Sequence, residues 1–284
     1  MKQVLIIGTL GFVGYSLCCR LLEDDITVFG LDYKPCEGTI EEEKLLEIGR
    51  NSNFTFIPIT DELFQERKLE NIQEDFVFYS LPRNRRDSNI TRHKEIENLL
   101  EIATQKSLLN NSKLIIFKSL AVGEDRVLET QLLSSFEEKL TNNKYKNLDY
   151  MIIKLPTLYG PWQPFELVYQ QLITAKISGK DEPIEIQEDT NDVLFIDDAI
   201  DGILSLLSQP NEREIQIKSG LELQWYEGIK EISPKIYEKL LASIDFLDNT
   251  DREENYIEIS PKTSISKGIE KQYKHTEKLK KRLF

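Results

Sequence analysis

The sequence has 284 residues, of which 40% are apolar and 30% charged, and its formal net charge is −13. This length suffices for one large domain or two unequal lobes, and the composition is that of a globular chain. So acidic a chain argues against nucleic-acid binding, which needs lysine and arginine to neutralise phosphates. No apolar run approaches the ~20 residues of a membrane span, so we expect no membrane partner.

The cysteines and histidines do not form a pattern that binds a metal or closes a disulfide framework. Cys18 and Cys19 are adjacent on a predicted helix and point to different faces, and Cys36 is the third cysteine. We therefore expect reduced thiols and a cytoplasmic protein. His93 and His275 fit no Cys/His ligand spacing, so we expect no metal site.

The first half of the chain alternates short apolar runs with amphipathic stretches. The runs are 4–8, 27–31, 54–58, 76–80, 113–119 and 150–156, and helical patterns occupy 12–22, 94–109 and 124–140. Continuous apolar runs are typical of strands buried on both faces, and hence of a parallel sheet. The alternation predicts an α/β, doubly wound fold of the Rossmann type.

The pattern changes after Pro156. A helix is predicted near 165–177, a short strand at PIEIQ (183–187), a helix near 197–208, a strand at EIQIK (214–218) and a basic helix at the end. We predict a first domain over 1–157, to which 197–208 returns, and a smaller C-terminal substrate lobe over 158–284.

The segment GTLGFVG (8–14) follows a predicted strand and opens a predicted helix, which is the context that a dinucleotide-binding loop requires. Gly8 permits the turn out of the strand, Gly11 allows close approach of a pyrophosphate, and Gly14 allows the helix to pack on the sheet. The alternative is a glycine turn that binds nothing.

Asp32 ends the second predicted strand, where its carboxylate can accept hydrogen bonds from the adenosine ribose. The same carboxylate would repel a 2′-phosphate, which favours NAD(H) over NADP(H). Lys34 softens that preference, so NADP(H) stays open as the second choice.

The glycine spacing, with Phe12 inside it, resembles that of the extended short-chain dehydrogenase/reductases, the nucleotide-sugar epimerase/dehydratase family. Later segments are similar to family motifs in the same order: DFVFYSLP, ENLLEIA, KLPTLYGPWQP, DVLFIDDAIDGIL and SPKTSISKGIEKQY. The resemblance covers essentially the whole chain. It implies a Rossmann lobe for NAD(P) and a C-terminal lobe for a nucleotide sugar, UDP-linked more readily than dTDP-linked.

The resemblance also implies site residues and an assembly. The cofactor residues it implies are Gly8, Leu10, Gly11, Phe12, Val13, Gly14, Asp32, Tyr33, Lys34, Ile59, Ser80, Leu81, Pro82, Lys118 and Pro156. The substrate residues it implies are Ser119, Leu120, Tyr159, Trp162 and Asn191, the last of which stands where the family often has an arginine. Arg83 is a further substrate candidate because it could supply positive charge to a diphosphate, unless it belongs to a solvated loop. A homodimer would form through the apolar faces of 94–109 and 124–140, unless the sheet covers those faces.

The chain departs from the family at the catalytic Tyr-x-x-x-Lys pair. The helix predicted at 124–140 contains no tyrosine, and Arg126 and Thr130 stand near the expected positions. Ser119 matches the family serine that contacts the sugar C4 oxygen, and Glu124 is a further candidate proton source. As catalytic candidates we therefore name Ser119, Glu124, Arg126 and Thr130, although Ser119 alone could simply end a strand.

The missing tyrosine discriminates among reactions. Epimerases and dehydratases first oxidise a C4 hydroxyl and need a base, whereas a ketoreductase needs hydride and any proton source. The leading hypothesis is NAD(P)H-dependent reduction of a 4-keto nucleotide sugar, in the synthesis of sugars for surface polysaccharides. The alternatives are an epimerase or dehydratase with a rearranged base, and a binding protein that has lost its chemistry.

Overall fold

The computed structural model describes residues 1–60, 69, 71–81, 89–119, 124–140, 145–180, 184–207, 212–241 and 255–283. Side chains are described in these ranges except at 89–93, 124–130, 137, 241 and 283. The contacts divide the chain into two units, Met1–Lys118 with Glu124–Ile153 and Ser119–Gly123 with Lys154–Phe284. The return of 197–208 to the first domain and the boundary at 157 stay predictions.

The first unit alternates strands and helices as the sequence predicts. Its elements are β1 (Gln3–Ile7), α1 (Phe12–Glu23), β2 (Thr27–Tyr33), α2 (Ile40–Ile48), β3 (Phe54–Ile59), β4 (Phe76–Tyr79), α3 (Asn89–Asn110), β5 (Lys113–Ser119), α4 (Glu124–Leu140) and β6 (Tyr150–Leu155). The strand order is β6-β5-β4-β1-β2-β3. The pairs β1–β2, β1–β4, β2–β3 and β4–β5 are parallel, which confirms the predicted parallel sheet.

Helices cover both faces of this sheet. On one face, Leu5 and Ile7 of β1 join a buried cluster with Ile96 and Leu99 of α3 and Phe136 of α4. The residues that alternate with them on β1, Val4 and Ile6, are equally buried but lie outside that cluster. Since successive side chains of a strand point to opposite faces, both faces of β1 are covered, as in a doubly wound fold.

The apolar faces of α3 and α4 pack into this cluster. Ile96, Leu99 and Ala103 of α3 and Leu132 and Leu133 of α4 are all part of it. The first unit therefore buries most of the described apolar side chains on these two helices, although Leu109 is 66% exposed. The homodimer stays a prediction.

The second unit adds short strands and further helices. Its elements are β7 (Thr157–Tyr159), α5 (Val168–Ser178), β8 (Val193–Phe195), α6 (Ile196–Leu206), β9 (Glu214–Lys218), α7 (Gln224–Ile232), α8 (Pro234–Leu241), β10 (Tyr256–Glu258) and α9 (Ile265–Leu283). The pairs β7–β8 and β9–β10 are parallel. The predicted strand at EIQIK and the basic terminal helix are thereby confirmed as β9 and α9.

The strand predicted at PIEIQ is wrong for the described residues 184–187, which have no regular secondary structure. A side chain of α5 satisfies the backbone there instead of a neighbouring strand. The Glu185 N–H donates to Gln171 Oε1 at 3.1 Å, and Gln171 Nε2 donates to the Glu185 carbonyl at 3.0 Å. Alternation of apolar and polar residues cannot reveal such a partner.

The core of the second unit combines aromatic rings with a buried amide. The Tyr159 ring meets those of Tyr169 and Phe195 edge to face, each at a centroid distance of 5.4 Å. Gln272 of α9 is 0% exposed, and its Nε2 donates to Gln163 Oε1 at 2.6 Å.

The Gln272 amide also reaches α5 and the turn after β7. Its Nε2 donates to Gln170 Oε1 at 2.9 Å, and its Oε1 accepts the Gly160 N–H at 3.0 Å. Because these bonds occupy both ends of a fully buried amide, Gln272 fixes the turn after β7 to α5 and α9.

Candidate cofactor-binding site

The glycine loop lies where the strand order of the first unit reverses. β1 pairs with β2 on one side and β4 on the other, and chain connections leave β1 and β4 in opposite directions. In open α/β sheets, ligands bind outside the carboxyl ends of the strands at this switch point. Gly8 follows the carboxyl end of β1, so the loop 8–14 occupies that position.

The loop has the geometry of a glycine cradle. Gly8 has φ +78°, its N–H donates to the Leu31 carbonyl at 2.9 Å, and its carbonyl accepts the Gly11 N–H at 3.1 Å. A Cβ at Gly14 would lie 2.1 Å from Gly8 O, and one at Gly11 would lie 3.1 Å from the same atom. Gly14 is therefore required for α1 to pack against the loop.

The amino end of α1 is available for an anion. Gly11 is the N-cap residue, and its position offers no side-chain hydrogen bond to the first turn. The first N–H groups of a helix have no partner within it and point along the axis. Phe12 and Val13 form the first turn of α1, so the residues present would fit a dinucleotide whose phosphates meet the N–H groups of this turn.

Asp32 lies beside this loop and is 5% exposed. Its Oδ2 accepts the Leu10 N–H at 2.7 Å and its Oδ1 accepts the Tyr33 N–H at 2.8 Å. Burial raises the pKa of the Asp32 carboxyl to about 6, while the two N–H donors and the Lys44 ammonium oppose the rise. Each oxygen keeps a lone pair, so the carboxylate can still accept from ribose hydroxyls.

Lys44 of α2 contacts the glycine loop, and it is not among the cofactor residues predicted from the sequence. Its side chain is buried, and Nζ donates to the Leu10 carbonyl at 2.8 Å. The signal was present in the sequence: Ile40, Lys44 and Ile48 stand four residues apart and share one helix face. A lysine in an otherwise apolar stripe indicates a buried partner.

Other predicted cofactor residues of the first unit lie at strand ends. They are Tyr33 and Lys34 at β2, Ile59 at β3, Ser80 and Leu81 after β4, and Lys118 in β5. The Tyr33 hydroxyl donates to Glu95 Oε2 at 2.7 Å, and the Ser80 N–H donates to the Ile7 carbonyl at 3.0 Å. Whether these residues touch a cofactor stays a prediction.

The catalytic candidates are placed only by their backbone or by a strand end. Ser119 is the last residue of β5 and is exposed. The helix predicted at 124–140 is confirmed as α4, but the side chains of Glu124, Arg126 and Thr130 lie outside the described part. Pro82, Arg83 and Leu120 also lie outside the described residues.

In the second unit, Tyr159 is 1% exposed within the aromatic core, where burial raises the pKa of its hydroxyl above the ordinary range. Trp162 has φ +68°, and its ring lies 4.3 Å from that of His275. Asn191 donates through Nδ2 to Asp189 Oδ1 at 2.7 Å. Pro156 is buried between β6 and β7. All of these contacts join residues of the same chain. A role for these residues in binding a ligand therefore stays a prediction.

The Tyr-x-x-x-Lys spacing occurs twice in the sequence: Tyr150 to Lys154 lies in strand β6, and Tyr226 to Lys230 lies on helix α7. The Tyr226 hydroxyl reaches Thr190 Oγ1 at 3.5 Å, while Lys230 pairs with Glu227 at 3.6 Å. Lys230 also lies 5.5 Å from the centre of the Tyr237 ring. Tyr226 and Lys230 thus have different partners and do not contact each other through the bonds described.

Three further findings concern the described residues. No helix among them is long and apolar enough to cross a membrane. Within the same ranges, no cluster of three His, Cys, Asp or Glu side chains is placed to hold a metal. Cys18, Cys19 and Cys36 are all free thiols, as expected.

The fold and the loop define a class: an α/β protein of Rossmann type with a glycine loop at the switch point of its sheet. No family model matches the chain. Protein CapI of Staphylococcus aureus is 26% identical over 240 residues, which are 73% of this chain and 70% of CapI. The Bacillus subtilis (strain 168) protein described as uncharacterized UDP-glucose epimerase YtcB is 27% identical over 240 residues, 74% of this chain and 73% of YtcB.

A solved structure matches over the whole chain. UDP-glucuronic acid 4-epimerase from Bacillus cereus, in complex with UDP-glucuronic acid and NAD, superposes with a TM-score of 0.67 at 20% identity. The match covers 98% of this chain and 100% of that one. The predicted resemblance is confirmed: in sequence and in fold the chain is similar to nucleotide-sugar epimerases of the extended short-chain dehydrogenase/reductase type.

Proposed function

We propose that this protein binds NAD in the cradle of its first unit and is an enzyme that acts on a nucleotide sugar. The observation that carries the proposal is the pairing of the glycine loop with Asp32, because Leu10 N–H bonds that carboxylate directly at 2.7 Å. A carboxylate here favours NAD over NADP, whose 2′-phosphate it would repel. Bound NAD supplies the capacity to take up or deliver hydride.

A UDP-linked sugar is the substrate that the relatives support best. One relative is described as a UDP-glucose epimerase, and a structural neighbour holds UDP-glucuronic acid beside NAD. The segment KLPTLYGPWQP supports the same substrate class through its resemblance to a family motif. Trp162, Asn191 and Arg83 are the side chains we propose for substrate contacts, while Tyr159 is buried in the aromatic core of the second unit.

We propose reduction of a 4-keto sugar as the reaction because α4 carries no tyrosine over Glu124–Leu140. Ser119, at the carboxyl end of β5, would hydrogen-bond the C4 oxygen, and Glu124 or Arg126 would stand near the proton donor. Thr130 occupies the turn after Arg126. Positioning the carbonyl for hydride attack supplies much of the rate enhancement. General acid–base catalysis is worth ~10²–10⁴ in rate, and reduction can proceed when this contribution is incomplete.

Epimerisation is the second candidate, and the descriptions of the relatives favour it. It requires a base other than the usual tyrosine. An epimerase keeps its NAD⁺ through the catalytic cycle, whereas a reductase must exchange oxidised cofactor for NADH. The state and exchange of the cofactor therefore distinguish the two reactions.

The test compares cofactor exchange and turnover on purified protein. NADH oxidation is followed with UDP- and dTDP-4-keto-6-deoxy sugars, and 4-epimer formation is followed with UDP-glucose and UDP-glucuronic acid. A reductase oxidises NADH with a keto sugar, and Ser119→Ala lowers kcat. Epimer formation without added NADH would favour the second candidate. Binding of NAD and UDP-sugar with no turnover in either assay would identify a binding protein.

A further inference from the structure

Lys44 places an ammonium group in the interior beneath the glycine loop. The residue is 4% exposed, and Nζ donates to the Leu10 carbonyl at 2.8 Å. Burying a charge is costly unless hydrogen bonds and an opposite charge stabilise it. The position of Lys44 in the fold therefore requires a compensating arrangement, which the loop and Asp32 provide.

The Leu10 carbonyl and the Gly11 N–H belong to one peptide group, and both are fixed. Lys44 holds the carbonyl, and Gly8 O accepts the Gly11 N–H at 3.1 Å. Because the peptide is planar, its C=O and N–H point in opposite directions. Lys44 thus keeps the carbonyl oxygen turned to the α2 side.

Leu10 is held at its other end by Asp32. The Leu10 N–H donates to Asp32 Oδ2, so the backbone of one residue connects the ammonium to the carboxylate. Loss of the Lys44 bond would free this turn to adopt other conformations, including ones that carry the carbonyl toward a bound phosphate. A carbonyl oxygen in that position would repel the pyrophosphate.

The charges around Asp32 come from several elements. Lys44 of α2 favours the ionised carboxylate, whereas Glu41 of the same helix opposes it. The loop contributes the Leu10 N–H and β2 the Tyr33 N–H. Among these charged groups, Lys44 is the cation that acts on the Asp32 carboxylate.

Lys44 has further neighbours on α1 and α2. Its Nζ lies 5.4 Å from the centre of the Tyr15 ring, and the Tyr15 hydroxyl donates to Glu47 Oε2 at 2.7 Å. Burial raises the pKa of the Cys19 thiol, beside the Tyr15 hydroxyl, to about 11, so this thiol is uncharged at neutral pH. The cation over an aromatic ring, with Glu47 beyond it, is stabilised on the side away from the loop.

We propose that Lys44 is a positioning residue for the cofactor: it fixes the Leu10 carbonyl and supplies the positive charge beside Asp32, so that the loop is preorganised for the adenosine ribose and pyrophosphate. This inference rests on the proposed binding of NAD to this loop. It concerns a residue that touches neither the sugar nor the nicotinamide.

The test measures NAD affinity by calorimetry from pH 5 to pH 8.5 in the wild type and three variants of Lys44. In the wild type, affinity falls as pH drops through about 6, because protonated Asp32 loses an acceptor for the ribose. Lys44→Met removes the carbonyl's donor and the charge. We expect about 10–100-fold weaker binding at pH 7 and a pH midpoint that moves upward, because the carboxyl loses a stabilising cation.

Two conservative variants separate the parts played by the charge and the donor. Lys44→Gln keeps a donor without charge, so the midpoint should move upward while affinity at high pH falls less than in Lys44→Met. Lys44→Arg keeps the charge and should restore the midpoint. Arg50→Met, which removes an exposed cation just beyond α2, is the matched control and should leave both quantities unchanged. Urea unfolding of each variant shows whether the fold is intact.

A ligand-free measurement keeps this inference distinct from the proposed function. The carboxyl pKa of Asp32 is followed by NMR in the wild type and in Lys44→Gln, and we expect a higher value in the variant. If the wild type does not bind NAD, the proposed function fails, while this measurement still reports on the charge. Equal NAD affinity and equal midpoints in folded Lys44→Met and wild type would overturn the proposal, as would an unchanged Asp32 pKa.

Discussion

At the scale of single residues, Gly14 shows how closely α1 approaches the loop before it. A Cβ at this position would lie 2.1 Å from Gly8 O, 2.9 Å from Gly8 C and 3.1 Å from Thr9 Cα. All three atoms belong to the backbone, so no side-chain rotation can relieve the contact. The helix or the loop must move to admit a methyl group.

We therefore expect Gly14→Ala to lower the free energy of unfolding by about 1–3 kcal/mol and to weaken NAD binding. Urea unfolding and calorimetry measure the two effects. Ser16→Ala, on the same helix, is the control, because it removes one hydrogen bond to the Phe12 carbonyl without adding volume. A loss no larger than that of the control would contradict the close approach.

At the scale of elements, α9 completes the core of the second unit through Gln272. Replacing this residue by alanine leaves the Gly160 N–H and Gln163 Oε1 without their buried partner, whereas Gln170 Oε1 still accepts from Thr276 Oγ1 at 3.3 Å. Buried groups deprived of a partner cost about 1–3 kcal/mol each, with relaxation reducing the sum.

We expect Gln272→Ala to lower the free energy of unfolding by about 2–3 kcal/mol. Hydrogen exchange of the Gly160 amide should accelerate together with it. Lys274→Ala tests the same helix at an exposed position, where only a surface pair with Glu270 is lost, so its effect should stay small. Unchanged protection of Gly160 in Gln272→Ala would show that the amide does not hold the turn.

The elements of the first unit could be predicted from the sequence because both faces of its sheet are buried. The apolar runs 27–31, 54–58 and 113–119 became β2, β3 and β5 with small changes at the ends. The glycine spacing and Asp32 likewise predicted the loop and its neighbouring carboxylate. Their hydrogen bond through Leu10 follows from the backbone path and is not encoded in residue types alone.

The rest depends on contacts between distant segments. The helix stripe that contains Lys44 indicates burial but not its partner, which is a carbonyl 34 positions earlier in the chain. The irregular segment 184–187 is held by Gln171 from another element, which overrides its alternating pattern. Burial of Tyr159 depends on Gly268, whose Cβ would lie 2.6 Å from the tyrosine ring. No window of neighbouring residues contains these pairs.

At the scale of the whole molecule, the charge of −13 acts on any anionic ligand. A nucleotide sugar approaches against a field of its own sign unless the local site reverses it. Salt shortens the range of that field to about 8 Å at 0.15 M ionic strength. Association kinetics therefore report whether the global or the local charge prevails.

We expect the association rate of UDP-glucuronic acid to rise by about 2–10-fold between 0.02 M and 0.2 M NaCl. Stopped-flow mixing measures it, and an uncharged ribose analogue should show no such dependence. A rate that falls with salt would indicate a positive field at the site that outweighs the net charge.

The hydrogen bond between the Gly160 N–H and Gln272 can form only after the ribosome has synthesised both residues. The two residues are 112 positions apart, so at 5–20 residues per second the ribosome needs roughly 6–22 s to deliver the second after the first. During that interval the nascent turn after β7 has no amide to bind. The second unit therefore completes its core only after Gln272 has been synthesised, and slower ribosomes lengthen the period in which chaperones and proteases can reach this turn.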